Sequence, residues 1–161
     1  VMPPGVHFIK FIATGSGGAS GPSSQVGGAG ATGIGYLSAA PGTVFAITPA
    51  AAPVKDTPQG GRSSIIATAS GESSVTLVIA NGGNAENAEA EFTDNPHVLN
   101  GISVTGGGGK GGFAGTGRGV NTWGAASYWG VVPAPGAGQS TWKRRPWRTL
   151  PGPGIVVLEY S

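Results

Sequence analysis

The apolar positions of this 161-residue chain fall in short runs, not in long amphipathic stretches. Six runs have the β-branched and aromatic content of strands, and each is bounded by Gly, Pro or Ser. They are VHFIKFIA (6–13), GTVFAIT (42–48), SSIIATA (63–69), SVTLVIA (74–80), GISVT (101–105) and GIVVLEY (154–160). None has the length or spacing of an amphipathic helix. The exception is NAENAEAEF (84–92), whose alanines and glutamates make either a short helix capped by Asn84 or an acidic surface loop. Strands at both ends and in the middle, joined by glycine-rich connections, predict an all-β domain, a β-sandwich or jelly-roll-like fold. The terminal runs 6–13 and 154–160 are expected to pair or lie adjacent, and both are apolar enough to be central. Phe8, Ile12, Ile155, Val157 and Tyr160 are the first core choices.

Composition changes the view of what lies between the strands. The chain holds 32 Gly and 13 Pro, together more than a quarter of its residues, a share common in low-complexity sequence. Disorder also brings high charge and little apolar content. Here only 10% of residues are charged and 39% are hydrophobic, so there is apolar surface to bury. The glycine has no every-third period, which excludes a collagen triple helix. Segments such as 15–35 and 106–119 are therefore expected to be ordered, extended or polyproline-II-like chains. They would pack side by side through weak Cα–H···O contacts. Ordering glycine costs more backbone entropy than ordering any other residue, so such segments need support from strands, aromatic anchors or neighbouring subunits.

The remaining totals mainly exclude. A formal net charge of +2 is too small to argue for nucleic acid. The absence of cysteine excludes disulfides and thiolate metal sites. No apolar run approaches the length of a membrane-crossing helix, and no signal-peptide pattern stands at the start. The length fits one domain, residues 1–161. The opening VMPPGV reads as a cut through a longer polypeptide.

The order of motifs is more specific than any one of them. PPGVHFIKFIATGSGGASG is followed by SAAPGTVFAITPA, GRSSIIAT, GGGGKGGFAGTG, GAASYWG, APGAGQ and a closing PGPGIVVLEYS. This series resembles the glycine-rich domain at the C-terminal ends of bacteriophage tail fibre and tail-tip proteins, and it covers nearly the whole chain. The resemblance implies a virion protein at the distal end of a tail fibre, assembled as a homotrimer. Such a tip would contact bacterial surface polysaccharide (lipopolysaccharide or capsule) or an outer-membrane receptor, with no cofactor, no nucleic acid and no membrane insertion. Threefold assembly also suits a domain with few large side chains, since an inter-subunit core would help stabilise it. Two stretches depart from the family pattern: the Asn- and Glu-rich residues 81–100, and the basic-aromatic TWKRRPW (141–147).

Two sets of residues carry the candidate receptor-binding chemistry. All four tryptophans, Trp123, Trp129, Trp142 and Trp147, lie in the last quarter of the chain, and Tyr128 adjoins Trp129. Aromatic rings pack on the apolar C–H faces of sugars while nearby polar groups bond to the hydroxyls. Tyr128 and Trp129 belong to the family-like scaffold and are also read as structural anchors; Trp142 and Trp147 are read as surface residues. Lys143, Arg144, Arg145 and Arg148 fall within six residues, in a loop that Pro146 keeps extended. Such a loop suits phosphates or acidic sugars through bidentate arginine contacts. It equally suits a solvated loop, or pairing with Glu86, Glu89, Glu91 and Asp94 of a neighbour.

Catalysis has little support. No G-x-S-x-G elbow occurs, and Lys110 is followed by Gly111, not by the Ser or Thr of a phosphate-binding loop. His7 and His97 stand apart from each other and from carboxylates at ligand spacing. Glycosidase chemistry needs two carboxyl groups across a cleft, and four of the seven acidic residues are bunched at 86–94. The expectation is a binding module without enzymatic activity. Its rivals are a purely structural trimerisation cap, with host recognition elsewhere, and a depolymerase fragment.

Overall fold

The computed structural model describes residues 1–19, 27–39, 41–53, 60–68, 73–83, 90–92, 98–99, 102–110, 127–130, 134–139 and 150–161. They form nine strands: β1 (Phe8–Thr14), β2 (Thr32–Ala39), β3 (Val44–Thr48), β4 (Ser63–Thr68), β5 (Val75–Ala80), β6 (Ala90–Phe92), β7 (Val98–Leu99), β8 (Ile102–Lys110) and β9 (Ile155–Tyr160). No helix occurs among the described residues. The fold is all-β. Residues 84–89 of the helix candidate lie outside the described residues, but Ala90–Phe92 are a strand paired with β5, so its C-terminal end is not helical.

Two antiparallel sheets result, one of five strands in the order β7-β8-β2-β1-β9 and one of four in the order β3-β4-β5-β6. They pack face to face around a core of Ile9, Phe11 and Ala13 from β1, Leu37 from β2, Ile65 and Ala67 from β4, and Leu77, Val78 and Ala80 from β5. Met2 is buried in the same core, held by backbone hydrogen bonds to Thr43 and Gly42. The four-stranded sheet is a plain meander, whereas in the five-stranded sheet the long connection 111–154 carries the chain from β8 back past β2 to pair β9 beside β1, the order of a Greek key. A bulge between Ile65 and Ile66 leaves Leu77 without a ladder partner, and Leu77 and Val78 both reach the core.

The terminal strands pair as expected, Ile12 opposite Val157 and Phe11 opposite Leu158. Only β1 is central; β9 is the edge of its sheet. Of the expected core set, Ile12 is buried, Phe8, Ile155 and Val157 stand one residue out of phase with the inward face, and Tyr160 shares that face but lies exposed at its end. The inward face of β1 carries Ile9, Phe11 and Ala13, and Val156 and Leu158 of β9 pack against them. Phe8 and Tyr160 are exposed, and Ile155 and Val157 are half-buried. Ile12 is buried but belongs to the opposite face, beside Ile34 and Val157. Side chains alternate along a strand, so a one-residue misreading of phase exchanges every residue between faces. VHFIKFIA has apolar residues in both phases, and its own pattern does not choose between them.

The glycine tracts divide between two uses. Thr32–Gly35 and Gly107–Lys110, expected as extended or polyproline-II-like chain, are ladder residues of β2 and β8, with Gly106 left unpaired at a bulge. Segments 15–19, 27–31, 60–61, 81–83 and 151–154 instead extend the strands beyond one end of the sandwich, and 136–139 is hydrogen-bonded among them. They are joined by conventional N–H···O bonds. Gly17 donates to Gly152 O (2.9 Å), Gly18 to Gly28 O (2.9 Å), Gly27 to Gln139 O (3.0 Å), Gly60 to Gly83 O (2.8 Å) and Gly83 to Ser16 O (2.8 Å). The segments lie too close for side chains. A Cβ at Gly17 would run into the Ala137 carbonyl, and one at Gly138 into that of Gly27.

Buried hydroxyls tie this layer to the sandwich. Ser63 Oγ donates to the Thr14 carbonyl (2.6 Å) and accepts from Ala50 N–H (3.0 Å). Ser16 Oγ accepts from Gly61 N–H (2.7 Å).

Candidate functional site

The molecule has two unlike ends. At one, the amides of His7 and Phe8 bond to the Ser161 carbonyl, which brings the first and last strands together beside the chain ends. At the other is the glycine layer. Residues 20–26 join the described structure at Ala19 and Gly27, 84–89 at Gly83, and 140–149 at Gln139. Gly18, Gly27, Gly28 and Gln139 are hydrogen-bonded neighbours in this layer, and residues 111–126 depart from Lys110, which pairs with Thr32 at the same end. Several connections distant in sequence therefore start side by side.

Trp123, Trp142, Lys143, Arg144, Arg145, Trp147 and Arg148 lie outside the described residues, as do Glu86, Glu89, Asp94 and His97. What the structure places is the attachment of their segments. Residues 140–149 leave at Gln139, whose amide donates to Gly18 O (3.0 Å), and chain returning through Pro151 is fixed where Gly152 N–H donates to Ala137 O (2.8 Å).

Tyr128 and Trp129 are described, and they play different parts. Ser127 and Gly130 exchange backbone hydrogen bonds (2.8 and 3.2 Å), so the aromatic pair forms the tip of a tight turn. Ser127 Oγ accepts from Trp129 N–H (3.1 Å) and is hydrogen-bonded to Pro135 O, fixing the turn from within. Gly130 closes it at φ 119°, a left-handed backbone that disfavours a side chain. The Trp129 indole N–H donates to Thr14 Oγ1 (3.0 Å), which is itself hydrogen-bonded to Thr32 Oγ1 (2.8 Å). Both threonines are buried, on the face of the five-stranded sheet that turns away from the core. Trp129 is thus a scaffold anchor.

Tyr128 stands edge-to-face against Trp129, ring centroids 5.0 Å apart at 85°, and is 50% exposed. Its neighbour holds the ring while leaving half of it to solvent, an arrangement suited to stacking on an apolar sugar face. Thr14 and Thr32 are the members of this arrangement that the sequence reading did not single out. Their only sequence signal is a threonine at the junction of a strand and a glycine run.

Other chemistry is sparse among the described residues. No group of three His, Cys, Asp or Glu is arranged to hold a metal ion. Lys10 and Glu159 form an ion pair (3.5 Å) across β1 and β9, exposed enough to contribute little to stability. No helix among the described residues is long and apolar enough to cross a membrane. Comparison of the chain with family models, with curated proteins and with solved structures found no match.

Proposed function

We propose that this domain is the receptor-binding tip of a bacteriophage or phage-tail-like fibre, a homotrimer that attaches to bacterial surface glycan without cleaving it. The observation that carries the reading is the polarity of the fold. Chain ends sit together at one end, and connections, including the basic-aromatic 140–149, leave from a backbone-only layer at the other. A fibre joined through the chain ends would point those connections at the host. Arg144, Arg145 and Trp147 supply the charge and ring surface for an anionic glycan, and Tyr128 adds a supported aromatic face. Three weak sites on one tip would raise avidity well above that of a single site.

The test uses fluorescently labelled protein on a panel of bacteria with defined surface-polysaccharide mutations. Wild type should label a subset of strains, and the triple variant R144A/R145A/W147A should lose labelling while keeping its oligomeric state. Unchanged labelling by the triple variant would remove that loop as the site.

A second reading is a structural cap that drives trimerisation while another protein binds the host. The indole N–H of the half-buried Trp129 is already committed to Thr14, which favours it. A protein that trimerises but labels no strain would be the cap.

A further inference from the structure

Ile47 and Ile65 are register partners on β3 and β4 and point to the same, inward side of the sheet. Ile65 is fully buried, yet Ile47 is 42% exposed. The reason lies in the opposite sheet. Its edge strand β9 packs over β4, not over β3. β3 therefore projects past its own roof, with Phe45 half-buried and Ile47 uncovered inside and Val44 exposed outside.

The outer edge of β3 is also free of ladder partners among the described residues. Proteins guard such edges with charge, proline, bulges or very short strands. The four sheet edges here differ in this respect. β7 has two residues and β6 three, while β9 carries Glu159. β3 is VFAIT, five residues with no charge and no proline, in unbroken register with β4. Of the two long edges, β3 carries no charge, and the Glu159 carboxylate of β9 is already paired with Lys10 in its own sheet.

We infer that β3 is the seat for β9 of a second copy of this chain, paired antiparallel so that the four-stranded sheet of one copy runs into the five-stranded sheet of the next. The two strands match in length, five residues against six. They match in direction as well. β3 runs toward the glycine layer, since Thr48 pairs with Ser64, and β9 runs away from it, since Ile155 pairs with Thr14. Copies related by an axis parallel to the strands thus meet antiparallel and keep their glycine layers at one end. They match in stagger too, because the overhang of β3 faces a sheet that is recessed at β9. The inward residues Val156 and Leu158 of the neighbour would continue the apolar face that Phe45 and Ile47 begin. Such head-to-tail contacts close into a ring and leave no long edge open. The pairing rests on the strands alone; the count of three copies rests on the function proposed above.

The chain has no cysteine, so engineered thiols report cleanly. Antiparallel neighbours have Cα separations of about 4.5–5.5 Å, within disulfide reach. Ala46→Cys, on the outer face of β3, should be combined in the same chain with Ile155→Cys, Val157→Cys or Glu159→Cys on the outer face of β9. Under mild oxidation, one of the three combinations should give a covalent ladder, and neither single variant of that pair should. Independently, Ile47→Lys should shift the native mass from the assembly to the 15.7 kDa chain with an unchanged circular dichroism spectrum. A wild type that runs as a monomer at tens of micromolar, or dimers formed by Ala46→Cys alone, would overturn the pairing. A ladder that ends at two copies keeps the pairing and overturns the threefold count.

Discussion

A methyl group added to Gly17 would occupy the space of the Ala137 carbonyl oxygen, a backbone atom that no rotamer change can clear. Gly17→Ala should therefore destabilise the fold by about 3 kcal/mol, the upper end of overpacking costs. At Gly5 there is open space but φ is 80°, so Gly5→Ala should cost about 1 kcal/mol from backbone strain alone. Urea denaturation of the two variants separates crowding from strain. Equal losses would mean that the glycine layer yields.

Amide exchange probes the same layer without mutation. The N–H groups of Gly17, Gly27, Gly60, Gly83 and Gly152 are buried donors, so their exchange should be slowed to the level of the β1 and β4 amides. Exchange at random-coil rates for these five would show that the layer opens independently of the sandwich.

Ser63 offers a third test. Its hydroxyl bonds both the Thr14 carbonyl and the Ala50 amide in a buried setting. Ser63→Ala leaves that amide unpaired away from water and should cost about 2 kcal/mol. Thermal unfolding of Ser63→Ala beside the exposed control Ser74→Ala measures it.

The aromatic turn predicts a division of labour. Trp129→Phe removes the indole donor to Thr14 and should lower stability by about 1 kcal/mol. Tyr128→Ala should change stability by less than about 0.5 kcal/mol and act on glycan attachment instead. Matched denaturation and cell-labelling measurements check both halves. A Tyr128→Ala variant as unstable as Trp129→Phe would make the pair one structural unit.

The two phenylalanines of β1 show what the sequence can and cannot reveal. The strand itself was legible from VHFIKFIA, and so was its pairing with GIVVLEY. Its inward phase was not, because Phe8, Ile9, Phe11 and Ile12 satisfy both alternations; the partner strands and the packing of β4 and β5 decide it. Phe11→Ala should cost about 3–5 kcal/mol as a large core truncation. Phe8→Ala, at a position 60% exposed, should cost under about 0.5 kcal/mol.

β2 was missed for a related reason. TGIGYLSA is interrupted by Gly33 and Gly35, which lower strand propensity. The structure uses Gly35 to seat the Phe11 ring, a long-range fit that local pattern does not encode. The SYWG motif was legible as either anchor or binding face. Only the indole bond to Thr14, far away in sequence, assigns Trp129 to the first role and leaves Tyr128 available for the second.

Among the described residues, the layer beyond the strands is stitched almost wholly from main chain to main chain, with the Ser16 hydroxyl joining in. Bonds of that kind hold the stalks whatever residues the chain carries beyond them. In a receptor-binding tip, selection for a new surface target would then act on the departing segments without a compensating change in the core. A tip built this way would inherit stability and specificity through separate letters of the sequence.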